Sequence, residues 1–327
     1  MSAPDQPKYR LYKLASRWGL PSASPACLRV EGYLRLANVS VAGEECTNSS
    51  TSPSSQLPAL EHGVDFVDGF GDENAAAEAI IDYLREHGHD LDSHLSACQR
   101  ADLMAFTALV RSCLEPATAF TMWCEKQSYC QHTRVAYGAG LPLPLNYWIP
   151  WSQRRAALHR FSNSAKEQVY KDAAAAYRAL DQRLRAKRDG DFIFGSRPSS
   201  LDALLFSHLA FHQGAPVSAP ELRQALSEHR VLMAYVERMS QEVFSEPLPR
   251  APAITSAEWA QRAEEAASPS QGRKKEISKK EAEWSKGNKM WLTGAGLATV
   301  AYFMLSGQYI TIATDSGYDD EDDGDIE

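Results

Sequence analysis

The feature that most constrains this chain is residues 290–313, a run of 24 residues without a charged side chain. As an α-helix, such a run would be about 36 Å long, enough to cross a hydrocarbon core roughly 30 Å thick. The alternative is a buried core helix, but such helices rarely stay uncharged over this length. We therefore expect residues 290–313 to form a single transmembrane helix, with Met290 and Ala313 at its ends.

The flanks of this span predict its orientation. Trp291 and Tyr302 are of the amphipathic type that favours the membrane–water interface, and Leu305 belongs to the apolar part of the anchor. Residues 273–289 carry seven basic and three acidic side chains, whereas residues 314–327 carry eight acidic and no basic ones. Because positive flanks stay in the cytosol, we expect a cytosolic body and an acidic tail on the far side. With fourteen residues after the span, insertion is expected to be post-translational.

Composition limits the remaining classes of function. With 44% hydrophobic and 23% charged residues, the chain can bury real cores. The net charge is −8, and removing +4 for residues 273–289 and −8 for residues 314–327 leaves −4 on the first 272 residues. An acidic body without a basic stripe argues against nucleic acid as the main partner. The six cysteines include no CxxC pair, so we expect free thiols in a reducing compartment and no metal site.

The order of predicted elements in residues 1–88 is that of a thioredoxin-like domain. Apolar patterning predicts, in chain order, a strand at 9–14, a helix at 25–38, a strand near 39–41, two short strands after residue 57 and a helix at 74–86. In this plan a proline precedes the third strand, and Pro58 has that position. Most X–Pro bonds are trans, so the expected cis bond at Pro58 rests on the plan and not on composition.

Residues 89–250 have helical periodicity and almost no strand alternation, which predicts an all-helical domain. Within it, Ser199 and Asp202 form an S-x-x-D pattern ahead of an apolar run. This pattern predicts a capping box, with Ser199 as N-cap and Asp202 at the third helical position. Such a box marks the start of a helix and carries no chemistry. Residues 251–289 are rich in charge and predict a linker or helix that leads to the membrane span.

A thioredoxin-like domain followed by an all-helical domain resembles the glutathione-transferase fold, and within it the chain resembles the metaxin family. The motifs of the resemblance are Trp18-Gly19-Leu20-Pro21-Ser22, Leu57-Pro58-Ala59-Leu60, residues 141–150, Phe194-Gly195, Ser199-Ser200-Leu201-Asp202-Ala203, Leu297-Ala298 and Leu305-Ser306-Gly307. Their order along the chain carries the resemblance, and no one motif would suffice. It implies an α+β, glutathione-transferase-like fold: an N-terminal thioredoxin-like domain, a C-terminal all-helical domain and one C-terminal transmembrane helix.

The resemblance also implies a binding function. Metaxins are cytosol-facing subunits of the mitochondrial machinery that sorts and assembles outer-membrane β-barrels. The chain is therefore expected to be a non-enzymatic subunit that aids import, release and insertion of barrel precursors. Expected partners are an outer-membrane β-barrel insertase subunit, a second metaxin-like subunit, β-barrel precursors and membrane lipid. The expected location is the mitochondrial outer membrane, with the body in the cytosol and residues 314–327 in the intermembrane space.

A membrane-anchored glutathione transferase is the main alternative. Such an enzyme needs a hydroxyl or thiol near the end of the first strand to stabilise the thiolate. The candidates for that group are Ser16, Ser22, Ser24 and Cys27. The fold also needs an acidic residue next to a serine at the start of its last thioredoxin helix, and counting places Ala76 and Ala77 there. Alanine supplies neither charge nor hydroxyl, so we expect no catalytic residue and no bound cofactor.

Two further points stay open from the sequence. His208 and His212 have the i, i+4 spacing of metal ligands, but no third ligand accompanies them, so packing is the expected role. A tail-anchored adaptor of the endoplasmic reticulum is a third interpretation, because the basic residues that often follow mitochondrial anchors are absent here.

Overall fold

The computed structural model describes residues 8–69, 72–186, 190–244 and 255–267. All of these described residues lie in one compact unit, which contains both the sheet and the helices. Within the described ranges, no helix has both the length and the apolar composition needed to cross a bilayer. The predicted anchor, residues 290–313, lies outside these ranges, as does the acidic tail, residues 314–327.

The N-terminal part of the unit contains a four-stranded mixed sheet. Its strands are β1 (Tyr9–Leu14), β2 (Val41–Cys46), β3 (Ala59–His62) and β4 (Asp65–Val67). The spatial order is β2-β1-β3-β4. β1 pairs in parallel with β2 and antiparallel with β3, and β3 pairs antiparallel with β4. This is the topology of a thioredoxin-like sheet, which the sequence predicts.

Two helices accompany the sheet, α1 (Pro25–Leu36) and α2 (Glu73–Glu86). Pro25 is at the start of α1, where a missing N–H costs nothing, and the Ser24 side chain accepts a hydrogen bond from the Cys27 N–H as N-cap. The core of this part joins both helices to the sheet through Tyr9, Leu11, Val30, Tyr33, Leu34, Leu60, Ile80, Ile81 and Leu84. This core fixes the start of α1 and the start of α2 near the end of β1 and the start of β3, which lie side by side because the two strands are antiparallel.

The rest of the unit is helical. Its helices are α3 (Ala97–Leu109), α4 (Glu115–Ala119), α5 (Lys126–Ser128), α6 (Arg134–Tyr137), α7 (Leu145–Arg160), α8 (Lys166–Ala186), α9 (Ser200–Gly214), α10 (Pro220–Ser227), α11 (Arg230–Phe244) and α12 (Ser256–Ala267). Short π-helical turns connect α3 to α6, at Val110–Leu114, Phe120–Cys124 and Tyr129–Thr133.

Helix α9 is the centre of the helical part, since all of its residues are buried. Its apolar residues continue around the whole helix, which is typical of a helix enclosed by protein on every side. It packs against α1 along most of that helix, and α1 is in turn buried from Pro25 to Leu34. The sheet and the helical bundle therefore share an apolar interface and do not move as independent domains.

Candidate functional site

A cavity of about 470 Å³ lies where the sheet meets the helices. Its walls come from the end of β1, the start of α1, the loop before β3, the start of α2 and one side of α7. Most of its wall is apolar, with Leu14, Leu57, Met122, Trp123, Ile149 and Phe161 among the contributors. Cavities of this size and composition are typical of small-molecule sites, so this cavity is the candidate site.

The charged groups of the cavity wall are mainly acidic. Asp72, Glu73 and Glu115 line it, and among its described residues Arg160 is the one arginine. Asn74 donates from Nδ2 to the Glu115 carboxylate at 2.9 Å, which ties the start of α2 to α4. Burial raises the pKa of Glu115 above its ordinary value. The cavity therefore repels anions more than it attracts them.

Glu73 is held at the point where α1 and α2 converge. The Ser24 hydroxyl donates to its carboxylate at 2.5 Å, and the Tyr137 hydroxyl does so at 3.4 Å. Burial raises the pKa of Glu73 to about 7, even though these two hydrogen bonds favour the carboxylate form. Near neutral pH the Glu73 carboxyl group can therefore gain or lose a proton. It also accepts the hydrogen bond that the Ser24 hydroxyl could otherwise donate to a ligand.

The four candidate nucleophiles have structural partners. Cys27 is fully buried, and burial raises the pKa of its thiol to about 12, so it holds no thiolate at neutral pH. The Ser22 hydroxyl donates to the Leu14 carbonyl at 2.8 Å, and the Ser16 hydroxyl donates to Glu45 at 3.2 Å. With Ser24 bound to Glu73, all three hydroxyls have hydrogen-bond partners within the fold. The Cys27 thiol is therefore not activated, and the three serine hydroxyls act as hydrogen-bond donors within the fold.

The expected position of the glutathione clamp is wrong by one helical turn. Ala76 and Ala77 are buried within α2, whereas the helix begins at its N-cap, Asp72, whose carboxylate accepts from the Asn74 and Ala75 N–H groups. The side chains at the start of α2 are thus Asp72, Glu73 and Asn74, and the first two were missed by counting from the apolar pattern. The N-cap preference of aspartate is the local signal that could have identified them.

His208 lines the cavity and His212 lies in the core behind it, and hydrogen bonds through Thr118 link the two. Thr118 Oγ1 is 2.9 Å from His208 Nδ1 and 2.8 Å from His212 Nε2, and it donates to the Leu114 carbonyl at 2.8 Å. Tyr177 places its hydroxyl 2.7 Å from His212 Nδ1. Because the Thr118 proton goes to Leu114, both rings donate to its oxygen, and the Tyr177 hydroxyl then donates to His212. The chain of bonds is complete with both imidazoles neutral.

Ser199 and Asp202 form a capping box at the start of α9, and both are fully buried. The Asp202 carboxylate accepts from the Ser199 N–H at 2.8 Å, the Ser199 hydroxyl at 2.6 Å, the Ile193 N–H at 3.0 Å and the Tyr235 hydroxyl at 2.8 Å. It therefore joins the start of α9 to the preceding loop and to α11. These two residues lie in the helical core and line no part of the cavity wall.

The remaining residues singled out by the sequence are at separate places. The Leu57–Pro58 bond is cis, immediately before β3, and Leu57 lines the cavity. The expected anchor residues lie outside the described ranges: Met290, Trp291, Tyr302, Leu305 and Ala313. Leu57 and the start of α2 thus line one cavity, and Ser24 is joined to its wall by the hydrogen bond to Glu73. The capping box lies apart from it.

Comparison with known proteins identifies the family. Residues 27–154 match the family model of an outer mitochondrial membrane transport complex protein, and residues 173–239 match the glutathione S-transferase C-terminal domain. Metaxin-1 of Sus scrofa is 32% identical over 236 residues, covering 69% of this chain and 72% of that protein. Metaxin-2 of Mus musculus is 27% identical over 233 residues, covering 69% and 85%.

A glutathione transferase family member of known structure from Pseudomonas fluorescens is 15% identical, with a TM-score of 0.46, and the match covers 75% of this chain and 94% of that one. The mixed sheet, the helical part and the match to the transferase C-terminal domain agree with the glutathione-transferase-like fold expected from the sequence. Together with the identity to metaxin-1 over more than two thirds of both chains, they establish the resemblance noted from the motifs. The chain belongs to the metaxin family.

Proposed function

We propose that this chain is a non-enzymatic subunit of the mitochondrial outer-membrane sorting and assembly machinery. It would aid import of β-barrel precursors and their release and insertion. Its partners would be an outer-membrane β-barrel insertase subunit, a second metaxin-like subunit and the precursors themselves. The observation that carries the proposal is membership of the metaxin family, supported by the match of residues 27–154 to an outer mitochondrial membrane transport complex protein.

The proposed topology places the body in the cytosol and one helix in the outer membrane. It rests on the sequence of residues 290–313, which carry no charge, and on the basic residues 273–289 before them. Residues 314–327 would then lie in the intermembrane space. The domains follow in order: 1–88 thioredoxin-like, 89–250 helical, and 251–289 as a charged connection that includes α12.

The non-enzymatic part of the proposal is supported by the cavity. A glutathione transferase must bind a peptide with two carboxylates and stabilise its thiolate, and both tasks call for positive charge or free donors. Here Asp72, Glu73 and Glu115 face the cavity, and the Ser24 hydroxyl is bound to Glu73. The carboxylates at the start of α2 suit the ammonium group of glutathione but repel its two carboxylates. The Ser24 hydroxyl is bound to Glu73 and is therefore not free to donate to a thiolate.

Affinity purification of the full chain tests the proposed function. Extracted from mitochondria in mild detergent, it should co-purify with a barrel-forming membrane protein and a second metaxin-like chain. A variant without residues 290–313 should lose the membrane-embedded partner more readily than a control without residues 314–327, because only the first removes the anchor. Recovery of the full chain alone, or with proteins of the endoplasmic reticulum, would favour the adaptor interpretation instead.

Isothermal titration with glutathione separates the subunit from the enzyme. We expect no saturable binding to residues 1–268 at millimolar concentration. The Ser24 hydroxyl, which is bound to Glu73, cannot also donate to the thiolate of glutathione. A charge-assisted hydrogen bond that cannot form costs roughly 1.5–3 kcal/mol, or about one to two decades of affinity. Glu73→Gln serves as a matched variant, because it removes one carboxylate while keeping the shape. A dissociation constant near one millimolar that Ser24→Ala abolishes would place a thiol ligand at Ser24 and contradict the non-enzymatic proposal.

A further inference from the structure

A long basic segment interrupts this acidic chain. Residues 126–165 contain five Lys and Arg residues and no Asp or Glu, although the whole chain has a net charge of −8. Three of the five are Arg134, Arg154 and Arg155, and within the described part of the chain none of these three is in an ion pair with a carboxylate. The segment includes α6, α7 and the loop between them. Its positive charge is therefore available to a partner.

The same segment concentrates exposed apolar side chains. Among the described residues, ten large hydrophobic side chains are exposed, and seven of them lie between residues 135 and 158. Those seven are Val135, Leu143, Leu145, Tyr147, Trp148, Trp151 and Leu158. Leu143 is 75% exposed and Trp148 is 59% exposed, so they are open to solvent over most of their surface. Exposed apolar residues gathered in this way mark an interaction surface.

Helical spacing aligns most of these residues on one side of α7. Tyr147, Trp148, Trp151, Arg155 and Leu158 fall on one face of a helix with 3.6 residues per turn, and all five are exposed. The opposite side of α7 lines the cavity, so its apolar stripe points away from the body. We call Leu143, Tyr147, Trp148, Trp151, Arg155 and Leu158 the aromatic–basic face.

Guanidinium groups lie directly on the aromatic rings of this face. The Arg155 guanidinium carbon is 5.6 Å from the centre of the Trp151 ring, and that of Arg134 is 5.3 Å from the centre of the Tyr147 ring. Aromatic rings with an apolar body and a polar edge favour the membrane–water interface, and adjacent Arg residues bind anionic headgroups. Residues 141–144, just before α7, have only Leu and Pro side chains, as has Leu145 at its start, and such apolar side chains suit the boundary between headgroups and acyl chains.

From this arrangement we infer that the aromatic–basic face docks on an anionic lipid surface. Arg134 and Arg155 would contact headgroups while Leu143, Trp148 and Trp151 enter the outer edge of the hydrocarbon. Charge complementarity favours an anionic lipid surface as the partner, because residues 126–165 contain no carboxylate while the rest of the body is acidic. This contact goes beyond the proposed function and does not require the anchor. It would hold the body against the bilayer with α7 facing it.

Hydroxyl-radical footprinting of the full chain in vesicles, read by mass spectrometry, tests this contact. Oxidation of Trp148 and Trp151 should be several-fold lower in anionic than in zwitterionic vesicles and should recover in high salt, because salt screens the headgroup charge. Met104 is 75% exposed on α3 and should be oxidised equally in both. Arg155→Gln should weaken docking about fivefold, since a basic residue near such a surface contributes about tenfold or less. Arg178→Gln, an exposed arginine of α8, is the matched control and should change nothing.

Footprinting also separates this inference from the proposed anchor. If residues 290–313 are protected but Trp148 and Trp151 are oxidised equally in both vesicles, the docking inference is wrong and the anchor stands. If both tryptophans are protected only after a second subunit is added, the face binds protein and the lipid inference is again wrong. In detergent, protection of Trp148 and Trp151 that disappears when residues 314–327 are deleted would mean that the acidic tail covers the face. The lipid inference would then be wrong as well. Salt-sensitive protection confined to anionic vesicles supports the inference, even where residues 290–313 stay oxidised.

Discussion

Replacing Asp202 with alanine is expected to destabilise residues 1–268 by about 3–5 kcal/mol. A simple N-cap contributes only about 1 kcal/mol. Asp202 does more because four buried donors, from Ser199, Ile193 and Tyr235, point at its carboxylate. The substitution leaves all four without an acceptor in a fully buried place. On a body of this size, the midpoint of thermal unfolding should fall by on the order of 10 °C.

Thermal and urea unfolding of two further variants identify the cause. Ser199→Ala keeps the carboxylate and should cost about 1 kcal/mol, because one of the four donors is lost and the other three remain paired. Burial raises the pKa of Asp202, so Asp202→Asn, which removes the charge and keeps the shape, should cost less than alanine. Equal midpoints for wild type and Asp202→Ala would contradict the assignment of this carboxylate as the link between α9, its preceding loop and α11.

The main elements of the sheet could be predicted, but β2 could not be placed. β1 lies at Tyr9–Leu14, where apolar alternation predicts it, and the helix predicted at 25–38 is α1 (Pro25–Leu36). The second strand, expected near residues 39–41, is Val41–Cys46 instead. Its centre is Gly43 followed by two glutamates, residues that strands usually avoid. Parallel pairing with β1 at the sheet edge stabilises this strand, and that is a tertiary effect invisible in local pattern.

Helix α7 was not predicted either, for a physical reason. Its apolar residues lie on both sides: Ile149 and Ala157 line the cavity, whereas Trp148 and Trp151 point to solvent. Amphipathic periodicity is therefore weak, and Pro150 inside the helix argues against a continuous one. The basic segment, residues 126–165, was missed for a different reason. The net negative charge of the whole body suggested that it had no basic stripe. Counting charge in windows would have revealed it.

Part of the candidate site was open to prediction and part was not. Leu57, which precedes the cis Pro58, and Pro25, which follows Ser24, do line the cavity, because antiparallel pairing puts the end of β1 beside the start of β3. The carboxylates at the start of α2 were missed, since the apolar pattern of that helix begins one turn after its N-cap, Asp72. Glu115 reaches the cavity from α4, a contact between distant parts of the chain that no local pattern encodes.

The buried histidines should make the body sensitive to acid. Burial lowers the pKa of His208 and of His212 to about 3, from an ordinary value of 6.5. Below pH 6.5 the unfolded chain therefore binds two protons that the folded chain does not. Their full contribution is present above pH 6.5 and is lost progressively as the pH falls toward 3. From pH 7 to pH 5, each histidine should remove roughly 2 kcal/mol of stability.

Glu73 acts in the opposite direction over part of the same range. Its pKa is about 7 in the folded body against an ordinary 4.5, so the folded chain binds the extra proton between these values. Stability from this group rises as the pH falls through 7, by at most about 3 kcal/mol, and by less because the carboxyl is partly exposed. Two histidines outweigh one glutamate, so the net effect between pH 6.5 and pH 5 should be a loss.

Urea unfolding across a pH series isolates the histidine contribution. The double variant His208→Gln with His212→Gln should be less stable at pH 7, since Thr118 and Tyr177 lose their ring partners. Its stability should nevertheless depend less on pH, by roughly two protons, because Glu73 is unchanged and cancels in the comparison. His159→Gln, at an exposed position of α7, is the matched control and should keep the wild-type slope. A double variant with that same slope would mean that the folded body accommodates both protons, contrary to a neutral hydrogen-bonded pair.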